Sequence, residues 1–176
     1  KYIYENKEIH IDKMPLNLIH AAEIIKFFPN AKFIFAIRHP CDCVLSAFMQ
    51  SFSLNDSMAN FLTLEDTIFF YSKLMELWNI YTNSLKINYH MIKYENVVSN
   101  FNEAINNLLI YLNLEWSDEI IKFHETAAKR GLISTPSYDQ VNRPIYSESV
   151  GRWKNYEKEF SNIKFKLESW IKIFNY

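Results

Sequence analysis

The feature that most constrains this chain is the run Lys32-Phe-Ile-Phe-Ala-Ile37, which leads directly into Arg38-His39-Pro40-Cys41-Asp42-Cys43-Val44-Leu45-Ser46. Short, continuously apolar and rich in aromatic and β-branched residues, Phe33 to Ile37 fits a strand buried on both faces, as at the centre of a parallel sheet. Pro40 suits the first helical position, where its missing N–H costs nothing, and Asp42 suits the first turn, near the positive end of the helix dipole. Val44, Leu45, Phe48 and Met49 supply an apolar face. A strand that feeds straight into a helix is the repeating unit of α/β proteins.

The rest of the chain fits that frame. Ile9, Ile11 and Lys13 alternate with His10 and Asp12 in a short β-like stretch stopped by Pro15. Leu18, Ile19, Ala22, Ile25 and Phe28 recur at helical spacing between Leu16 and Phe28, and Pro29-Asn30 ends the run. Thr63, with Glu65 and Asp66 behind it, opens a long amphipathic helix to Leu85. Asn88 to Tyr94 returns to a strand-like pattern, and helices are predicted over Val97 to Leu112, Ser117 to Ala128 and Tyr156 to Phe174. Between them, Arg130 to Arg152 is polar, aperiodic and loop-like. Helices alternating with two or three buried strands predict one α/β domain over residues 1–176, with a parallel sheet.

Composition removes several classes of function. Lys and Arg number 19 against 20 Asp and Glu, so there is no basic excess of the kind that binds nucleic acid. The longest wholly apolar run, Phe33 to Ile37, is far short of a membrane span, and with no signal peptide in view a cytoplasmic location is expected. Cys41 and Cys43 cannot complete a zinc site, and His90 and His124 lack a ligand-like partner, so no metal is expected. Only Gly131 and Gly151 are present, twenty residues apart, which excludes a complete glycine-rich phosphate loop. Arginine is scarce, with Arg38, Arg130, Arg143 and Arg152 beside fifteen lysines. Where lysine is the default cation, an arginine marks a place that needs a planar, bidentate fork.

Ligands of open α/β sheets bind beyond the carboxyl ends of the strands, which is where Arg38 stands. A guanidinium there and the Ser46 hydroxyl, within two turns of the helix start, could hold an anion. The same residues fit, equally well, an Arg38–Asp42 ion pair and an ordinary helix serine. Ser137 to Lys154 is the second candidate, polar and containing two arginines. Its pattern suits a ligand-clasping loop and, no less, a solvated connection.

Four motifs together carry a resemblance. Arg-x-Pro-x-Asp-x-x-x-Ser at Arg38 to Ser46 resembles the 3′-phosphate-binding motif of sulfotransferases that use 3′-phosphoadenosine 5′-phosphosulfate (PAPS). Ser-x-x-Gln-Val-x-x-Pro-Ile-Tyr-x-x-Ser-x-Gly-Arg-Trp at Ser137 to Trp153 is similar to the cofactor-clasping loop of bacterial sulfotransferases fused to tetratricopeptide repeats and, more distantly, of protein-tyrosine sulfotransferases. Asp12-Lys13-Met14-Pro15 resembles the lysine motif that enters the active site, and Lys93-Tyr94-Glu95-Asn96-Val97-Val98 resembles the Tyr-Glu-x-Leu-Val segment after a strand. The resemblance implies a P-loop-like α/β fold and transfer of a sulfuryl group from PAPS to a hydroxyl or amine, leaving adenosine 3′,5′-bisphosphate. It assigns Arg38 and Ser46 to the 3′-phosphate, has Ser137 and Arg152 complete the cofactor site from the late loop and Tyr94 approach the nucleotide, and gives Lys13 to the charge that develops on the transferring group. The acceptor would carry a hydroxyl, on protein tyrosine, carbohydrate, lipid or a small molecule, and tetratricopeptide repeats upstream are an expectation of the same kind.

The departures are equally specific. Nothing matches the strand, glycine-containing turn and helix that bind the 5′-phosphosulfate, so the fold is expected to lack its first strand–loop–helix unit. Gln50 stands where the protein-tyrosine branch has another arginine. No residue aligns with the catalytic glutamate of that branch, although His10, Asp12 and His20 lie near Lys13. A catalytically inactive nucleotide-binding or interaction fragment is therefore the alternative. A nucleotide-kinase relative is disfavoured, because the late Gln-Val to Gly-Arg-Trp run has no kinase counterpart.

Overall fold

The computed structural model describes residues 9–14, 16–53, 55–125 and 144–176. A 3-10 turn over Asn17–His20 continues into helix α1 (Ala21–Phe27), followed by strand β1 (Phe33–Ile37) and helix α2 (Pro40–Phe48). Helix α3 (Leu64–Leu85) leads to strand β2 (Tyr89–Lys93), which passes without a connection into α4 (Tyr94–Ser99), followed by α5 (Phe101–Leu112). After a stretch outside the described residues come α6 (Glu157–Phe160) and α7 (Glu168–Ile173), each preceded by a 3-10 turn.

β1 and β2 pair in parallel, in a register running from Phe33 opposite Tyr89 to Ile37 opposite Lys93. Parallel neighbours need a crossover, and α2 and α3 form it. The entry into α3 follows the sequence signal: Thr63 Oγ1 accepts from the Asp66 N–H at 3.1 Å and donates to the Asp66 carboxylate at 2.7 Å. Lys86, in the left-handed region at φ 48°, ends the helix.

One core unites the sheet with the two ends of the described fold. Phe35 and Ile37 of β1 meet Val44 and Leu45 of α2, Ile68, Met75 and Trp78 of α3, and Phe160, Ile163, Leu167, Trp170 and Phe174 of the C-terminal segment. Phe35 stacks on Trp78 with ring centroids 4.7 Å apart. Each such large side chain taken out of water contributes about 1.5–3 kcal/mol.

Several sequence expectations need correction. β1 is buried on one face only: Phe35 and Ile37 face the core while Ile34 is 44% exposed and Ala36 is exposed. The sheet has two strands among the described residues, and α5 packs against β2, where Tyr111 stacks on His90. Residues 9–14 form no strand, and Ile11 is 86% exposed; alternation alone does not supply a partner edge to pair with. The predicted helix at Val97 to Leu112 begins earlier, at Tyr94, and breaks at Asn100, whose backbone leaves the helical region (φ −146°, ψ 72°) and whose side-chain amide donates to Glu103. The predicted C-terminal helix is divided at Ser161, whose hydroxyl donates to the Lys158 carbonyl at 2.7 Å. For Ser117 to Ala128, a 3-10 turn forms at Asp118–Ile120, capped by Ser117, and residues 126–128 of that span lie outside the described set.

Candidate functional site

The register of the sheet builds the site. Because Ile37 lies opposite Lys93, the next residues, Arg38 and Tyr94, emerge side by side at the carboxyl ends of the two strands. The Arg38 guanidinium carbon sits 5.3 Å from the centre of the Tyr94 ring, a cation–π arrangement. Arg38 Nη2 donates to the Ser149 carbonyl and lies 3.7 Å from Asp42 Oδ1. Its Nε is buried and has no hydrogen-bond partner among the described residues. The Tyr94 hydroxyl donates to the Tyr146 carbonyl at 3.0 Å, and burial raises its pKa.

Arg38, Asp42, Leu45, Ser46, Tyr94, Tyr146, Ser149 and Arg152 line an open pocket of about 130 Å³. That is smaller than the roughly 300 Å³ and upward typical of whole-ligand cavities, and it suits one anionic group of a larger molecule. The sequence-predicted Arg38, Ser46, Tyr94 and Arg152 are thus brought together from three separate segments. Arg38 does face Asp42, so the ion pair that the sequence also allowed is present at the pocket wall.

Asp42 is the residue that sequence reasoning undervalued. Assigned to the helix dipole, it is in fact fully buried, and its two carboxylate oxygens accept the backbone N–H groups of Gly151 (2.7 Å) and Trp153 (2.8 Å). Those residues flank Arg152. Gly151 adopts φ 69°, a left-handed conformation that disfavours a side chain even though a Cβ would meet nothing nearer than Lys154 at 3.8 Å. The available signal was helical phase: Asp42 shares a face with Leu45 and Ser46. Tyr146 and Ser149, which contribute carbonyls, also lacked an assigned role.

Behind the pocket, His39 fixes the strand-to-helix corner. Its Nδ1 accepts from the Cys41 N–H (3.2 Å), capping α2, and its ring stacks on Trp153 at 5.4 Å. Nδ1 accepting requires that nitrogen to be unprotonated, in keeping with a pKa held below the usual histidine value by burial against the opposing pull of Asp42 and Glu95. Glu95 takes the His39 N–H on one oxygen (2.8 Å) and the Tyr176 hydroxyl on the other (2.6 Å). Burial pushes the Cys41 and Cys43 thiols up to about 11, so both are neutral packing groups at physiological pH.

Other predicted residues lie elsewhere. Lys13, with His10, Asp12 and His20, is exposed, and none of them lines the pocket. Gln50, half-buried, is not a lining residue either. Ser137 lies outside the described residues. Among the described residues no cluster of His, Cys, Asp and Glu could hold a metal ion, and no helix is long and apolar enough to cross a membrane.

The chain is 29% identical over 157 residues to an uncharacterised Aquifex aeolicus protein, covering 84% of this chain and 19% of that one. It is 24% identical over 149 residues to protein-tyrosine sulfotransferase 2 of Gallus gallus and 27% identical over 148 residues to protein-tyrosine sulfotransferase 1 of Danio rerio. Each of these alignments covers 81% of this chain, and 39% and 41% of the relatives respectively. The chain therefore spans about a fifth to two-fifths of the length of these relatives. The profile of the sulfotransferase family matches residues 2–118, which hold Lys13, Arg38, Ser46 and Tyr94, and the chain belongs to that family.

Proposed function

We propose that this chain carries the 3′-phosphate half of a PAPS site in an enzyme that transfers a sulfuryl group to a hydroxyl acceptor. The observation that carries the reading is the convergence of Arg38, Ser46 and Arg152 on one small pocket at the carboxyl ends of parallel strands. The fit is chemical: a hydroxyl and two guanidinium groups, that of Arg38 with a buried Nε lacking a partner among the described residues, match a phosphate's acceptor oxygens. Arg38 and Arg152 would hold the 3′-phosphate through charged hydrogen bonds, Ser46 would donate to it, and Tyr94 would flank the nucleotide. Ser137 would join them from the late loop.

When bound, PAPS supplies a sulfuryl group already activated on a phosphate leaving group. The protein's task is then orientation and charge stabilisation. Lys13 would place a cation where negative charge grows on the transferring and bridging oxygens. The fold reading is P-loop-like. A further parallel strand and its phosphosulfate-binding turn would pack at the edge of β1 away from β2, and exposed Ile34 and Ala36 mark a sheet face that a helix would cover. Two of the relatives described above are named protein-tyrosine sulfotransferases, which makes protein tyrosine the first acceptor to test. The exposure of Lys13, away from the pocket lining, favours a second reading in which this chain binds the nucleotide without transferring sulfate.

Calorimetry with adenosine 3′,5′-bisphosphate tests the binding claim. Arg38→Ala should weaken affinity by about 1.5–3 kcal/mol, the worth of a charged hydrogen bond. Unchanged affinity overturns it. Sulfate transfer from PAPS to a tyrosine peptide separates the two readings.

A further inference from the structure

Asp42 places a fully buried carboxylate in the wall of a pocket that otherwise presents cations. Electrostatically this is unfavourable for binding an anion, since like charge at close range in a low dielectric repels. The geometry supplies the compensation. Both oxygens are engaged by backbone N–H groups, from Gly151 and Trp153, and Arg38 stands 3.7 Å away. Two bonds to alternate amides leave Arg152 between them with its backbone fixed on both sides. Gly151 in the left-handed region supplies the turn that lets both N–H groups point inward. On the other side Arg38 Nη2 donates to the Ser149 carbonyl, so the same short segment is held from two directions.

We infer that Asp42 is a positioning residue: it clamps the Gly151–Trp153 backbone to the first turn of α2, so that Arg152 and Arg38 face one another before any ligand arrives. This rests on the reading of the pocket as a 3′-phosphate site. Holding a loop in its bound arrangement saves ordering entropy at the moment of binding. The clamp needs an acceptor at both oxygens, and asparagine offers only one, with a donor in place of the other.

Asp42→Asn gives the idea a sign that can fail. If the carboxylate acted only as a nearby charge, removing it would tighten binding of adenosine 3′,5′-bisphosphate. As a clamp, its loss should weaken binding about tenfold, roughly one charged hydrogen bond, despite the more favourable charge. Hydrogen exchange should quicken at Gly151 and Trp153 while β1 and α3 stay protected, which a general loss of stability would not produce. Unchanged or tighter binding by a folded variant overturns the inference. A measurement on the unaltered protein covers the case in which the variant fails to fold. The Gly151 and Trp153 amides should be protected without nucleotide, and free exchange there until nucleotide is added overturns the clamp. If the unaltered protein does not bind adenosine 3′,5′-bisphosphate at all, the reading of the site fails instead, whatever the amides do.

Discussion

Two regions that the family resemblance joins in one reaction are built in opposite ways. The Arg38 pocket is assembled from three distant segments and locked by a buried carboxylate, two backbone amides and an aromatic stack. Residues 9–14, which carry Lys13, have neither helix nor strand and are exposed throughout. A group that binds a fixed anion profits from rigidity, because every bond is already aimed. A group that serves only the transferring charge needs its geometry only when donor and acceptor are both present. On the function proposed above, the contrast separates a preformed binding half from a transfer half, and the predictions below test that separation.

The largest effect should come from undermining the pocket from behind. Phe160 is fully buried and meets Trp153 edge to face at 6.0 Å, and Trp153 carries one of the two amides that Asp42 holds. Phe160→Ala should cost about 3–5 kcal/mol in urea unfolding, and nucleotide affinity should fall with it. Loss of stability with full affinity would show that the pocket does not depend on this wall. Lys13→Ala should do the reverse. Transfer should drop about 10²–10³-fold, as for removal of one charge-stabilising donor, while calorimetry finds nucleotide affinity unchanged. If affinity falls with the rate, Lys13 belongs to the binding half and the division is wrong.

A smaller effect is expected inside the pocket. Tyr94→Phe removes the bond to the Tyr146 carbonyl but keeps the ring beneath Arg38. It should weaken nucleotide binding by about 1 kcal/mol. A loss as large as that of Arg38→Ala would mean that the hydroxyl, not the ring, is what the site uses.

Legibility in the sequence follows how local each determinant is. The β1–α2 junction and the capped start of α3 were readable because Pro40, Thr63 and their neighbours act within one turn. The C-terminal segment kept its helical spacing of buried residues, Phe160, Ile163, Leu167, Trp170 and Phe174, yet its backbone divides at Ser161 into short α and 3-10 turns. Periodicity reports which side faces the core, not whether the backbone is unbroken. The exposed face of β1 was unreadable for a related reason: Ile34 records a preference for burial, and whether that preference is met depends on a neighbour. In the site, Arg38 was visible by its place after the strand. The partnership of Asp42 with Gly151 and Trp153 spans more than a hundred residues, and local spacing carries no trace of it.

The smallest effect separates the two regions by pH. His39 sits at the corner between Arg38 and α2, and burial holds its pKa below the ordinary value of 6.5. Above about 6.5 the imidazole is neutral in both folded and unfolded chains, and its contribution to stability is complete. As pH falls below that value the unfolded chain takes up a proton that the folded chain resists, so stability declines until the lowered folded pKa is passed. Protonation at Nδ1 would also remove the acceptor that caps the Cys41 N–H. Asparagine at this position keeps a capping oxygen and does not titrate. His39→Asn should therefore lose less stability than the unaltered chain between pH 7.5 and 5.5, a difference that subtracts the other histidines because both proteins carry them. Amide exchange should place the change at the start of α2 and at Gly151 to Trp153, with residues 9–14 exchanging as before. An identical pH dependence in the two proteins would mean that the corner does not feel the His39 proton, and the rigidity of the preformed half would then be independent of His39 titration.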